Sequence, residues 1–211
     1  MEGMMKAAVL HGIGDLRVEN VPIPQLEEDE VLVRIHRCGV CGSDIPRVFV
    51  KGTYHFPTIP GHEFSGQVVE ADDPQLVGQR VAVFPLLPCF KCEPCKLEEY
   101  AQCQDYDYYG SRRDGAFAEY LAVKKWNLIP IPDSISYDEA AMCEPCAVAM
   151  HALNRAGVKE GDSVVVMGAG PIGLMLAQVA RMLGASHVAL SDIDEEKKAF
   201  ARKLGFDILE E

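Results

Sequence analysis

Cys41, His62 and Glu63 put a thiol, an imidazole and a carboxylate into one stretch of chain, which also carries a hydroxyl at Ser43. These are the usual ligand types for Zn²⁺, and a catalytic zinc takes three protein ligands and keeps one position open. Cys38 precedes Cys41 as a C-x₂-C pair, which alone would also suit a redox pair or half of a zinc knuckle. A second group, Cys89, Cys92, Cys95 and Cys103, has the short steps of a closed four-thiol site, so a structural zinc without chemical role is expected there. A third motif, Gly168-Ala169-Gly170-Pro171-Ile172-Gly173, follows an apolar run and precedes a helical pattern, with Asp192 closing the next apolar run. In a βαβ setting this spacing binds a dinucleotide. The glycines admit the pyrophosphate, and the acid bonds the ribose hydroxyls and repels a 2′-phosphate, which favours NAD over NADP.

Other residues leave two readings open. Arg112-Arg113 is a basic doublet in an acidic chain, either a salt-bridged loop or a fork for phosphate. Glu144 lies inside an apolar run, where a carboxylate is costly unless it is paired or metal-bound. Cys143 and Cys146 flank Glu144-Pro145, as core thiols or competitors for metal. Tyr54-His55-Phe56-Pro57 reads as a loop, either an aromatic cover over the core or a substrate contact.

The 211 residues suffice for one large domain or two small ones. With 48% hydrophobic and 25% charged residues, the chain is neither disordered nor collagenous. A net charge of −12 argues against a nucleic-acid partner. No apolar run is long enough for a membrane span, and the N-terminus lacks the pattern of an export signal. Eight cysteines without such a signal point to metal ligation or free thiols in the cytoplasm.

The elements that must position these groups change character along the chain. Strands are predicted over residues 4–10, 16–21 and 31–35, from Glu63 onward, and over 78–84, separated by Gly and Pro turns. The Gly-Ser-Asp after Cys41 is predicted to open a short helix capped by Ser43 or Asp44. A helix capped by Ser136 is predicted to run toward Met150, with Pro145 kinking or dividing it. From residue 161 the pattern becomes strand, glycine turn, helix to 183–184, strand 187–191, helix 194–204 and the start of a third strand.

Together these motifs resemble the zinc-dependent medium-chain dehydrogenase/reductase family, the alcohol and polyol dehydrogenases. Cys41-Gly42-Ser43-Asp44, Gly61-His62-Glu63, the four-cysteine lobe and Gly168–Gly173 fall in the family order. The stretches 38–47, 85–95 and 110–120 are similar to members that oxidise galactitol 1-phosphate. The resemblance implies an α/β fold: a GroES-like β-barrel catalytic domain over 1–150, then the first half of a Rossmann NAD-binding domain over 151–211. It implies Cys41 and His62 as zinc ligands, Glu63 as a ligand or a group behind the ligands, Glu144 at a further ligand position, and Ser43 as the start of a proton relay. It also implies two zinc ions and NAD, a polyol or polyol phosphate substrate, and a homodimer or homotetramer; for a polyol phosphate, the fork of Arg112 or Arg113 is expected to hold the phosphate. Family members are longer, so the rest of the Rossmann sheet is expected to be missing and this truncated chain to be inactive. The alternatives are another zinc polyol, threonine or butanediol dehydrogenase, or an inactive zinc-binding fragment.

Overall fold

The computed structural model describes residues 2–209. The chain divides into two compact units, Met1–Glu144 and Pro145–Glu211. The sequence expectation put this boundary at 150/151.

The first unit begins with an antiparallel hairpin, β1 (Met4–Gly12) and β2 (Asp15–Pro22), turned at Gly14 with φ +79°. Next come β3 (Glu30–Gly39), helix α1 (Asp44–Pro46), a π turn over Arg47–Lys51, β4 (Glu63–Glu70) and β5 (Arg80–Val83). The short pair β6 (Leu86–Leu87) and β7 (Asp107–Tyr108) brackets α2 (Glu93–Lys96). Strands β8 (Tyr120–Lys124) and β9 (Leu128–Pro130) complete a five-stranded antiparallel sheet of order β8-β3-β4-β5-β9. This is the β domain that the strand pattern implied, and that the resemblance implied to be GroES-like.

β3 lies at the heart of that sheet because both its faces are apolar. Val31 and Val33 pack with Phe64, Val68, Val81 and Val123. Leu32 points the other way, against Met5 and Ile23 near the hairpin. The hairpin is tied on by backbone bonds from Ala8 to Phe117 and from Leu10 to Thr58, both 2.8 Å. The N–H of Glu119 returns a bond to the carbonyl of Lys6.

Helix α3 (Tyr137–Ala141) starts with a full capping box, Ser136 with Glu139, and α4 (Cys143–Ala156) follows directly. The helix predicted through this region is therefore divided, but at Met142. Pro145 sits in the first turn of α4, where its missing N–H has no helical partner to lose.

In the second unit, β10 (Ser163–Met167), β11 (His187–Ser191) and β12 (Asp207–Ile208) form a parallel sheet in chain order. Helices α5 (Pro171–Met182) and α6 (Glu195–Lys203) connect them as βαβ crossovers. Val166, Val188 and Leu190 pack against Ala177 and Ala180 of α5, Ala201 of α6 and Leu153 of α4.

Candidate metal and dinucleotide sites

The β3–β4 register assembles the first site. Gly39 pairs with Glu63, so the chain leaving β3 at Cys41 meets His62 and Glu63 at the start of β4. Sγ of Cys41, a ring nitrogen of His62 and a carboxylate oxygen of Glu63 lie within 4.8 Å of one another, with His62 and Glu63 buried. A side chain at 39 would collide with the carboxylate of Glu63, so glycine there makes room for it.

Asp44 braces the group. Its carboxylate accepts the N–H of Cys41 at 3.0 Å and Nη1 of Arg47 at 2.6 Å, and it faces Nδ1 of His62 at 3.6 Å. Sequence reasoning took Asp44 as a helix cap. Ser43 does hold the cap position of α1, but it makes no side-chain cap bond and is exposed beside Cys41. Its N–H lies 3.5 Å from the Cys41 sulfur.

Burial raises the pKa values of Cys41, Glu63 and Glu144 and lowers that of His62. Nδ1 of His62 is buried without a hydrogen-bond partner. Acidic donors and an imidazole crowded together out of water are a set that a divalent cation would deprotonate and satisfy, so the residues fit a zinc ion.

Glu144 stands outside the 4.8 Å group. Its Oε1 accepts the Tyr108 hydroxyl at 3.2 Å, and the Tyr108 ring meets His62 edge-on, 5.8 Å between centroids. Tyr108 was not foreseen. Cys38 is also outside: its thiol donates to the carbonyl of its neighbour Gly39 at 3.5 Å, and burial pushes its pKa up to about 12, so the C-x₂-C pair does not act as a unit.

Cys89, Cys92, Cys95 and Cys103 also bring their sulfurs within 4.8 Å of one another. Backbone N–H groups point at these sulfurs, from Cys89 to Cys103 at 3.2 Å and from Cys92 to Cys89 at 3.4 Å. The N–H of Lys91 leads the causes that bring the Cys89 thiol down to about 6, while burial pushes Cys95 up to about 12. The lobe has one four-residue helix, α2, and little core, which fits a metal as its organiser.

The turn at 110–117 is fastened to the His62 segment. Gly110 has φ +78°, and a Cβ there would stand 2.5 Å from the Gly61 carbonyl oxygen. The N–H of Ala116 bonds that same carbonyl at 2.9 Å. In this turn the two predicted arginines separate. Arg113 is committed to Asp107 at 2.7 Å and lies 3.8 Å from Glu30, which removes it as a free anion fork. Arg112 stacks between Tyr54 and Tyr106, 4.2 and 4.3 Å from the ring centroids. Tyr54 is 66% exposed, so its loop is no lid on the core.

In the second unit, pairing of Met167 with Ser191 sets the glycine turn beside Asp192. Gly168 has φ +106°. A Cβ on Gly173 would overlap the Gly168 carbonyl oxygen, whereas one on Gly170 would meet nothing within 4 Å. Pro171 and Ile172 open α5, whose N-terminus faces this gap. Asp192 accepts N–H bonds from Ala169 at 2.8 Å and Asp194 at 2.9 Å, which hold its carboxyl below the usual aspartate range. A tight turn, open space at Gly170 and a helix N-terminus fit a pyrophosphate.

Residues 27–133 match the alcohol dehydrogenase GroES-like domain. The chain is 43% identical over 205 residues to galactitol 1-phosphate 5-dehydrogenase of Escherichia coli strain K12, covering 95% of this chain and 59% of that protein. It is 36% identical over 210 residues to sorbitol dehydrogenase of Bacillus subtilis strain 168, covering 95% and 59%. The crystal structure of galactitol-1-phosphate dehydrogenase from Escherichia coli superposes with TM-score 0.92 at 42% identity, covering 97% of this chain and 60% of that one. The chain thus spans about three fifths of the length of the curated relatives it matches. With more than half of its residues inside the domain match, it belongs to the alcohol dehydrogenase GroES-like family, the zinc-dependent medium-chain dehydrogenases.

Proposed function

We propose that this chain belongs to an NAD-dependent oxidoreductase that oxidises a secondary hydroxyl of a polyol or polyol phosphate, galactitol 1-phosphate to tagatose 6-phosphate foremost. The observation that carries this reading is the group of half-buried Cys41 with buried His62 and Glu63, next to the exposed Ser43. Similarity to polyol and polyol-phosphate dehydrogenases supports the substrate class.

Cys41, His62 and Glu63 would hold the catalytic ion, with Glu144 beside it on Tyr108, and the four-cysteine lobe would hold a second ion. When bound, zinc supplies the Lewis acidity that lowers the substrate hydroxyl's pKa, and NAD⁺ supplies the hydride acceptor. Ser43 takes up the hydroxyl proton and passes it toward solvent, which its exposure permits. Asp44 orients Cys41 and the π turn, and so keeps the donors converged before any ligand arrives. Glu144 and Tyr108 wall the other side of His62 and exclude water from it. Gly168, Gly170, Pro171, Ile172 and Gly173 would seat the pyrophosphate, and Asp192 the ribose.

The test is metal analysis with a substrate panel. Two zinc ions per chain are expected, one for each donor group, and one in Cys41→Ser. In the whole protein, NADH formation should be greater with galactitol 1-phosphate than with sorbitol, threonine or butanediol. Zinc content unchanged by Cys41→Ser would overturn the site assignment.

A further inference from the structure

Five arginines sit against carboxylates: Arg17 on Asp15, Arg37 on Asp138, Arg47 on Asp44, Arg80 on Asp133 and Arg113 on Asp107. Arg112 makes no ion pair among the described residues, and its Nε is buried without a hydrogen-bond partner. Yet its guanidinium lies over two rings, Tyr54 and Tyr106. With both rings this close to Cζ, the group is held in place, and its edge carries the paired N–H donors that match a phosphate. A merely structural arginine would spend those donors on a carboxylate or a carbonyl. Here Nε has no partner, and the residue lines a cleft of about 590 Å³.

The charges around that cleft fit an anion. Lys91 adds a second cation. Of the two acids, Asp107 is neutralised by Arg113, and Asp105 is the opposing charge that remains.

The cleft is also tied to the metal group. The N–H of Arg112 bonds the carbonyl of Tyr108 at 3.0 Å, and the ring of Tyr108 packs on His62. Nε2 of His55 lies 3.0 Å from the Arg112 carbonyl oxygen and latches the Tyr54 loop to the arginine turn. Tyr54 lines a second cleft that contains Ser43, so its ring borders both the arginine and the relay hydroxyl.

We propose that Arg112, and not Arg113, anchors the phosphate monoester of the substrate, with Tyr54 and Tyr106 as positioning residues that hold its guanidinium ready. The proposal rests on the polyol-phosphate reading above and specifies which residues discriminate a phosphorylated from a neutral polyol. Preorganisation is the physical gain, because a side chain already fixed loses little freedom on binding.

The experiment uses the zinc-loaded chain and the Nε–Hε resonance of Arg112, assigned by its loss in Arg112→Lys. Inorganic phosphate and galactitol 1-phosphate should each shift it saturably, and galactitol should not. Arg113→Lys should keep the response, and Tyr106→Leu should weaken it about tenfold through the lost stacking. Calorimetry with galactitol 1-phosphate separates the two readings. If Arg112→Lys and Arg112→Ala bind it as tightly as the parent chain, the anchor is overturned while the polyol-phosphate reading stands. If the parent chain binds it no better than galactitol, both fall. A response lost equally in Arg113→Lys, with circular dichroism unchanged, also overturns the assignment.

Discussion

Asp44 is almost wholly buried, and it is the residue on which the donor group depends most without itself belonging to the group. Replacing it with alanine removes the acceptor for the Cys41 N–H and strands the Arg47 guanidinium. Zinc affinity at the Cys41 group should fall about 10–100-fold, the usual cost of losing a group that orients a ligand. The four-cysteine lobe should keep its metal, and competition with a chromophoric chelator reads the two sites separately. Asp192 gives a pH prediction at the same scale. Its carboxylate is stabilised first by the Ala169 N–H, so its folded pKa lies below 3.8, the ordinary value. The turn is therefore secured at every pH above the unfolded value and loosens only as the pH falls through the lower folded one. The Ala169 amide shift should titrate with a midpoint below 3.8, and a midpoint above it would sink the assignment. Residue types announced Cys41, His62, Glu63 and the cysteine lobe, because thiols and imidazoles at short spacing have few other uses. They did not announce Asp44, Tyr108 or the different fates of Arg112 and Arg113. Those depend on which side chain lies opposite across tertiary contacts, and local spacing carries no record of that.

The elements were legible where one physical signal dominates. β11 was read over its full span, and the parallel βαβ pattern followed from continuous apolar runs between a glycine turn and helical periods. Less legible was the break at Met142, which Pro145 drew one turn too far along, since proline is harmless in the first turn of a helix. Also invisible were the β3–β4 bulges between Leu32 and Val33 and between Ile35 and Arg37, which adjust the register ahead of the Gly39–Glu63 pair. The glycine turn tests whether the packing and binding roles of glycine can be separated. Gly173→Ala must displace the Gly168 carbonyl and should cost about 1–3 kcal/mol of stability by overpacking. Gly170→Ala adds a methyl in open space at φ −74°, so the thermal midpoint should hold. That methyl occupies the ground a pyrophosphate needs, so NADH binding should weaken at least about tenfold. Equal NADH affinity in Gly170→Ala and the parent, by fluorescence titration, would remove the dinucleotide from this turn.

At the scale of the whole chain, two units each carry their own core. One is centred on β3 and β4, the other on β10, β11 and the inner faces of α4, α5 and α6. Each unit also has its own candidate site: two donor groups that could hold a metal in the first, and the glycine turn with Asp192 in the second. A ligand stabilises whatever unit it binds in proportion to its occupancy, and leaves unchanged what does not unfold with that unit. Hydrogen exchange of the zinc-loaded chain should therefore respond to two ligands in two places. Chelation should raise exchange first in residues 89–103. There the backbone bonds of residues 92–103 span no more than five residues and α2 is a single turn, so no sheet ladder keeps the lobe ordered without a metal. It should raise exchange next at the Cys41 and His62 segments, which are pinned by sheet and turn contacts and so lose less. β10 and β11 should not change. NADH should do the reverse, slowing exchange at residues 168–173 and 191–194 and leaving the cysteine lobe as it was. If chelation melted β10 and β11 together with the lobe, the two units would be one cooperative body, and the separate assignment of metal and dinucleotide to independent cores would fail.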